Sequence, residues 1–467
     1  MRSLSIIMAA AALAVSVTAP LLGAQSTSAR ADEPALVPFW HELGDTTLER
    51  LTVEALRANY DVHAAEARLR GARVAGRLAA FDFAPTVTSN TGFSRRRFSA
   101  TQLPGAPASF REQDVYDAGF DASWEVDIFG RVRSAFAARS ALAGSASEEL
   151  RDVQLSLVSE LARTYFELRG AQRQLAVAEQ NAANQRRTLR YTVDRLAAGR
   201  GTAFDRERAS ALVSTTLAGV TAIEARIAAA NYRIGVLVGG RRLTSIPLQG
   251  PPDEDEVVET VPLPVLPAGP AIESVAALIR QRPDVRSAER RLTAQGALVS
   301  VARADYLPRL NVIGSVGFNA GATDLLGKKE SSRYLIGPVL SWPAFDLGRV
   351  RAHVEGARAQ EEEARARRDQ IVLSAQAEAE NAIVAYDRSR ARVLLLQDAA
   401  HSSERGAELA RLRLDGGESD FLELLDAQRT VLDAQDRLAQ GETDAATAYL
   451  ALYKALGGAW AGSIGGR

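Results

Sequence analysis

The chain has 467 residues, and 56 Lys and Arg against 57 Asp and Glu leave a formal net charge of −1. Without a basic excess it lacks the electrostatic footprint of a nucleic-acid binder, and 46% hydrophobic with 24% charged residues excludes wholesale disorder. There is no Cys, which removes disulfide frameworks and thiolate metal sites, and the four histidines (His41, His63, His353, His401) are too scattered for a His-rich centre.

After Met1-Arg2 comes an apolar run, and residues 4–24 carry no charge. Ala29-Arg30-Ala31 fits the A-x-A cleavage pattern, so residues 1–31 read as a signal peptide and the mature chain is expected to start near Asp32. A retained anchor is the alternative, but a small-residue cleavage site serves no purpose in one. No later segment approaches the roughly 20 apolar residues expected of a membrane-spanning helix. An exported soluble protein or a β-barrel component remains.

Residues 48–80, rich in Ala, Leu and Arg, predict a helix, and Pro85 breaks it. Strict alternation follows. Tyr116, Ala118, Phe120, Ala122, Trp124 and Val126 point one way, and Asp117, Gly119, Asp121, Ser123, Glu125 and Asp127 the other, which predicts a strand. Residues 131–198 then contain no Pro and only two glycines, Gly144 and Gly170. Such a stretch predicts one helix ~100 Å long. Leu150, Val153, Leu157, Leu161, Tyr165, Leu168 and Leu175 form a single narrow apolar seam, suited to coiled-coil-like packing rather than a thick core. Gly199-Arg200-Gly201 turns the chain into a returning helix over 202–239.

Residues 241–270 hold seven of the 17 prolines and the acidic run 253–256, and read as a solvated linker rather than a metal site. Beyond it the pattern repeats. Asp61-Val62-His63-Ala64-Ala65-Glu66-Ala67-Arg68-Leu69 matches Asp284-Val285-Arg286-Ser287-Ala288-Glu289-Arg290-Arg291-Leu292, and Pro85 matches Pro308, at an offset of 223. Tyr116, Gly119, Ser123, Trp124, Gly130 and Arg131 match Tyr334, Gly337, Ser341, Trp342, Gly348 and Arg349 at 218, as do Arg195, Leu196 and Gly199 with Arg413, Leu414 and Gly417. Chance similarity between Ala- and Arg-rich helices does not produce the Trp and Pro matches. The expected organisation is a first repeat at 32–240, the linker at 241–270, a second repeat at 271–457 and a tail at 458–467. The second repeat carries strands near 310–319 and 334–342 and a long helix with a seam of Val372, Ala375, Ala379, Ile383, Tyr386 and Val393. A Gly416-Gly417 turn leads to a returning helix over 419–457, which Ser419 or Asp420 could cap.

The predicted fold class is mainly α with a β-barrel portion. Strands of about ten residues, apolar on one face with aromatics near their ends, suit a membrane barrel; a soluble half-buried sheet is the alternative. Four strands cannot close a barrel, since the smallest have about eight, and lipid does not tolerate an open edge. The chain is therefore expected to share a barrel with copies of itself. Polar faces turned inward, continuous with long helices, describe a conduit, and Asp121 and Glu125 on the inward face suggest a mild cation preference.

The segments Trp124-Glu125-Val126-Asp127-Ile128-Phe129-Gly130-Arg131, the run from Arg282 to Leu292, Leu425-Asp426-Ala427-Gln428-Arg429 and Leu452-Tyr453-Lys454-Ala455-Leu456-Gly457-Gly458 resemble the TolC-like outer-membrane factors, NodT/OprM subgroup, which serve resistance-nodulation-division (RND) efflux pumps. The similarity runs from about Phe39 to Trp460. It implies a homotrimer in the Gram-negative outer membrane, with four transmembrane strands per protomer in a shared 12-stranded barrel. Long antiparallel helical hairpins would continue it as a 12-helix periplasmic α-barrel. It also implies a periplasmic adaptor, an inner-membrane RND-type transporter, contact with outer-membrane lipid, no enzymatic activity and no cofactor. By position in the motif, Leu422, Glu423, Asp426 and Arg429 would gate the periplasmic tip, with Asp426 and Arg429 placed to pair at i, i+3. The tip turns Gly199, Gly201, Gly416 and Gly417 would meet the adaptor. Many members of the subgroup are lipoproteins anchored through an N-terminal Cys; without Cys, attachment is expected to rest on the barrel alone.

A conduit for polypeptides and a soluble helical scaffold are the competing functions, and the subgroup motifs favour small-molecule efflux. An enzyme fits least. Neither G-x-S-x-G nor H-E-x-x-H occurs, and residues 321–328 fail the phosphate-loop spacing.

Overall fold

The computed structural model describes residues 45–99, 101–102, 104–105, 107–240, 275–419 and 421–458. The signal segment, the Pro-rich linker, Asp420 and the tail beyond Gly458 lie outside them. In chain order the main elements are α1 (Thr46–Ala58), α2 (Tyr60–Phe81), β1 (Thr86–Arg97), β2 (Glu112–Val126), α3 (Arg131–Ala197) and α4 (Ala203–Leu237), then α5 (Pro283–Ala304), β3 (Arg309–Ala320), β4 (Ser332–Ser341), α6 (Leu347–Asp415) and α7 (Phe421–Ala455). Most lengths match across the middle, although β2 has 15 residues and β4 has 10. α2 and α5 have 22 residues each, β1 and β3 have 12, α3 and α6 have 67 and 69, and α4 and α7 have 35.

The expected helix over 48–80 is two helices. Asn59 leaves the helical region (φ −72°, ψ 131°), and its side-chain oxygen accepts from the Asp61 N–H at 2.8 Å, starting α2 as a cap does. Its amide donates to the carbonyl of Leu237 at 3.0 Å, the last residue of α4. In the second half Arg282 does the same work, donating to the carbonyl of Ala455 at 2.9 Å at the end of α7. Both satisfy a helix-end acceptor that has no partner within its own helix.

The chain divides into two compact units. One takes in Arg68–Ala146 and Ala288–Arg368 and contains the sheet, in the order β1-β2-β3-β4 with every pair antiparallel. β1 and β4 each have one strand partner among the described residues, so both outer edges are open. Opposite residues share a face. One face collects Val87, Phe93, Phe120, Trp124, Val312, Val316, Tyr334, Ile336 and Leu340, with Arg95 and Arg97 at the far end of β1; the other collects Thr88, Asn90, Asp117, Asp121, Glu125, Asn311, Ser315 and Arg333, with Ile313, Leu335 and Val339 among them. The apolar face is uncovered: Tyr334 is 85% and Ile336 78% exposed.

The other unit takes in Ser147–Ser287 and Asp369–Arg467, with the stretch before Arg68. Its core is the predicted seam. Leu157, Leu161, Tyr165 and Leu168 of α3 pack with Ala375, Ala379 and Tyr386 of α6 and with Tyr449 and Tyr453 of α7. A polar ladder with seven-residue spacing on α3 joins it to α7. Gln174 donates to Asp436 at 2.8 Å, Asn181 to Gln435 at 3.2 Å, and Thr188 accepts from Gln428 at 3.2 Å. Rising numbers on one helix against falling numbers on the other make the pair antiparallel.

α4 departs from the expectation that nothing after the signal segment could span a membrane. By length and composition it qualifies, because residues 209–223 carry no charge, and most of that stretch is unburied. Its Ala, Val and Thr content is spread around the helix, so no run of large apolar residues marks it.

Candidate functional site: the polar sheet face and the hairpin tips

The polar face of the sheet is an organised set of charges. Arg333 donates to both carboxylate oxygens of Asp117, at 3.0 and 2.8 Å, and to the Ser315 hydroxyl. Asn319 adds a bond to Asp117 at 3.3 Å. Glu125 is held by both arms of Arg131, the first residue of α3. Asp121 accepts from Asn90 and has no ion-pair partner among the described residues. Of the two carboxylates expected to set cation preference, Asp121 keeps its charge unpaired, whereas Glu125 is neutralised by Arg131.

Glycines let β2 and β3 approach. A Cβ at Gly119 would lie 2.6 Å from the Val316 carbonyl oxygen, and one at Gly317, directly opposite, 2.5 Å from that of Ala118.

In the other unit the chain reverses twice by one device. Gly199 (φ 71°) and Gly417 (φ 76°) occupy the left-handed position that ends α3 and α6. Arg200 N–H reaches the Arg195 carbonyl at 2.9 Å and Glu418 N–H reaches Arg413 at 2.8 Å, the six-to-one bond of a Schellman motif. Gly239 (φ 88°) and Gly457 (φ 79°), again 218 apart, end α4 and α7 in the same way. Gly201 and Gly416 are not in the left-handed region; a Cβ at Gly201 would sit 3.2 Å from the Leu196 nitrogen. Thr202 then caps α4 in a reciprocal box with Asp205. Asp420, its counterpart at the start of α7, lies outside the described residues.

The second tip is closed by a small apolar cluster of Ala410, Leu414, Phe421, Leu424 and Leu425, with Leu212 of the first hairpin against it. Leu422 is half-buried beside this cluster, and Glu423, Asp426 and Arg429 are exposed. Glu423 forms an ion pair with Arg413 across the turn. Asp426 and Arg429 share a helical face, but no ion pair joins them among the described residues; the Asp426 main-chain carbonyl accepts from the Thr430 hydroxyl at 2.9 Å. Sequence reasoning missed the Arg413 contact because its partner lies across the turn, outside the motif. It also missed a charge asymmetry. Residues 186–208 carry seven Arg and three acids (+4), and the equivalent residues 404–426 three Arg and seven acids (−4).

The comparisons with known proteins agree with this architecture. The family model for outer membrane efflux protein matches residues 51–240 and 275–458. The chain is 30% identical to the pyoverdine export outer membrane protein OpmQ of Pseudomonas aeruginosa, covering 98% of this chain and 97% of that one. It is 28% identical to the solvent efflux pump outer membrane protein SrpC of Pseudomonas putida, over 89% and 86% of the two chains. Among solved structures it is similar to the outer-membrane channel OprN, with a TM-score of 0.79 and 36% identity over 91% and 92% of the two chains. The chain belongs to the outer membrane efflux protein family: it is an efflux channel of the Gram-negative outer membrane, not an enzyme.

Proposed function

We propose that the protein is a homotrimeric exit duct of a tripartite efflux pump, passively conducting small toxic compounds or drugs from a pump and adaptor to the outside. Three chains would share a 12-stranded barrel in outer-membrane lipid, and their hairpins would continue it as a helical tunnel. The observation that carries this reading is the four-stranded sheet with both edges open and its apolar face uncovered. Lipid does not tolerate unpaired backbone at an edge, so copies of the chain must complete the sheet. The unburied apolar stretch of α4, and Leu373, Val384 and Leu395 at eleven-residue intervals on α6, give neighbouring copies apolar surface to cover. The internal duplication is supported by the two separate family matches and the matched element lengths.

The polar face would line the lumen, and the tips would form the gate through Leu422, Glu423, Asp426 and Arg429. The turns at Gly199, Gly201, Gly416 and Gly417 would meet the periplasmic adaptor, itself bound to an RND-type inner-membrane transporter. Tips of charge +4 and −4 would alternate around the ring, which favours closure by neighbours of opposite sign. OpmQ is named for pyoverdine and SrpC for solvents, so cargo varies among relatives, as a passive duct allows. Native mass and electron-microscope outline of detergent-purified protein test the reading. A hollow particle of three chains is expected, and a compact monomer would sink it.

A further inference from the structure

The polar face of the sheet is not polar throughout. Ile313, Leu335 and Val339 sit on it, out of step with the alternation that sends apolar residues to the other face. Leu335 is 55% and Val339 42% exposed. A single exposed apolar side chain needs no explanation, but a contiguous group on a water-facing surface marks a contact.

The strand register makes them contiguous. Ile313 stands opposite Gly337, between Leu335 and Val339 on β4. A Cβ at Gly337 would meet nothing within 4 Å, so no side chain fills the space beside Ile313. One row along the sheet, Leu335 is opposite Ser315, Ser315 opposite Asp121, and Asp121 opposite Thr88. A hollow of about 390 Å³ lies over these rows, with Thr88, Asp121, Ser123, Ile313, Ser315 and Leu335 in its lining. All six belong to one compact unit. Both the volume and the make-up, apolar wall with a few placed polar groups, are those of small-molecule sites.

Asp121 gives the hollow its charge. Asn90 donates to its carboxylate, and no cation pairs with it among the described residues. Arg333, in the next row, is already held by both carboxylate oxygens of Asp117 and by the Ser315 hydroxyl. An uncompensated carboxylate at one end and aliphatic side chains at the other match a ligand with the same two parts.

We propose that this hollow binds amphiphilic organic cations, with the cationic group at Asp121 and an apolar body against Ile313 and Leu335. The proposal rests on the reading of this face as the lumen and adds to it the class of cargo that the duct holds in passing. Neither half suffices alone. Salt screens an isolated carboxylate in a wet lumen, and an aliphatic patch has no preference for charge. Together they separate a cation with an apolar body from a small cation and from an anion with the same body. A conduit has to release what it binds, so weak affinity is expected.

Ligand-observed NMR titrations of detergent-purified protein test this with benzyltrimethylammonium, tetramethylammonium and benzenesulfonate. The parent is expected to bind the first more tightly than the other two. Asp121→Asn should weaken benzyltrimethylammonium about fivefold, the worth of one contact ion pair in water, whereas Asp121→Glu should keep it. Leu335→Ser should weaken it about fourfold, the equivalent of one buried CH₂ group, and leave tetramethylammonium unchanged. Equal affinity for the three probes, or affinities that Asp121→Asn and Leu335→Ser do not alter, would overturn the site. Single-channel recordings keep the site and the duct apart. Benzyltrimethylammonium should lower the current through the parent more than through Asp121→Asn. Binding by NMR with no effect on an open channel's current would overturn the placing of the site in the lumen. Normal conductance without binding would overturn the site and leave the duct standing.

Discussion

Trp124 donates its indole N–H to the main-chain carbonyl of Phe83 at 3.1 Å. Trp342 does the same to Tyr306 at 3.0 Å. The two indoles are 218 residues apart and the two carbonyls 223, so one contact is built twice across the change of offset. Each bond ties the far end of a hairpin to the turn that enters it. Trp124→Phe or Trp342→Phe keeps the aromatic body and removes the donor. Each is expected to cost about 1 kcal/mol, with similar losses in the two halves. Thermal unfolding of the purified protein checks this, and a large cost at one site only would contradict the equivalence.

Gly170 lets α3 and α7 touch. A Cβ there would lie 2.0 Å from Thr443 Oγ1 and 2.9 Å from its Cβ. Gly170→Ala should destabilise by ~1–3 kcal/mol through overpacking. Thr443→Gly in the same chain removes all the clashing atoms and should recover part of that loss, less the entropic cost of a new helical glycine. A double-mutant cycle on thermal stability reads the coupling; additive losses would mean that the helices do not meet here.

Asp152 is a half-buried carboxylate. Burial raises its pKa and the nearby Asp284 adds to the rise, against the pull of Lys454 and Arg282. A carboxyl raised in the folded state favours folding most when protonated. That contribution is lost as pH rises through its unfolded and then its folded value. Asp152→Asn should therefore be more stable than the parent at neutral pH and should lose less stability between acid and neutral pH. Melting temperatures across that range test the sign; equal slopes would reject it.

The sheet's polar face makes opposite predictions for two of its residues. Arg333→Ala releases the Asp117 carboxylate from its bidentate partner and should increase cation selectivity. Asp121→Asn removes the unpaired charge and should decrease it. Reversal potentials in a salt gradient measure both. Shifts of the same sign, or anion preference in the parent, would contradict a lumen lined by this face.

At the tip, Arg413→Ala breaks the pair with Glu423, and Asp426→Ala or Arg429→Ala removes an exposed charge. Exposed pairs contribute ~0–1 kcal/mol to stability, so all three should fold normally while opening more often. High salt, which screens exposed charges, should reproduce part of the effect in the parent. Single-channel recordings in planar bilayers decide. Unchanged conductance and opening frequency in every variant would remove these residues from the gate.

Much of the architecture was written locally. Proline-free stretches, an apolar seam at helical spacing and alternation of period two are properties of neighbouring residues, so the 67-residue α3, the strand β2 and the turns at Gly199 and Gly417 were legible in advance. The proposed repeat rests on Trp, Pro and Gly, which serve roles few other residues fill. Tertiary structure alone decided what depends on distant partners. Asn59 and Arg282 look unrelated in sequence, yet each donates to the last carbonyl of a helix more than 170 residues away. Glu423 has its cation across a turn, and Glu125 but not Asp121 is neutralised by an arginine. Charge pairing depends on which side chains the fold brings within a few ångströms of one another, and residue order does not record that distance.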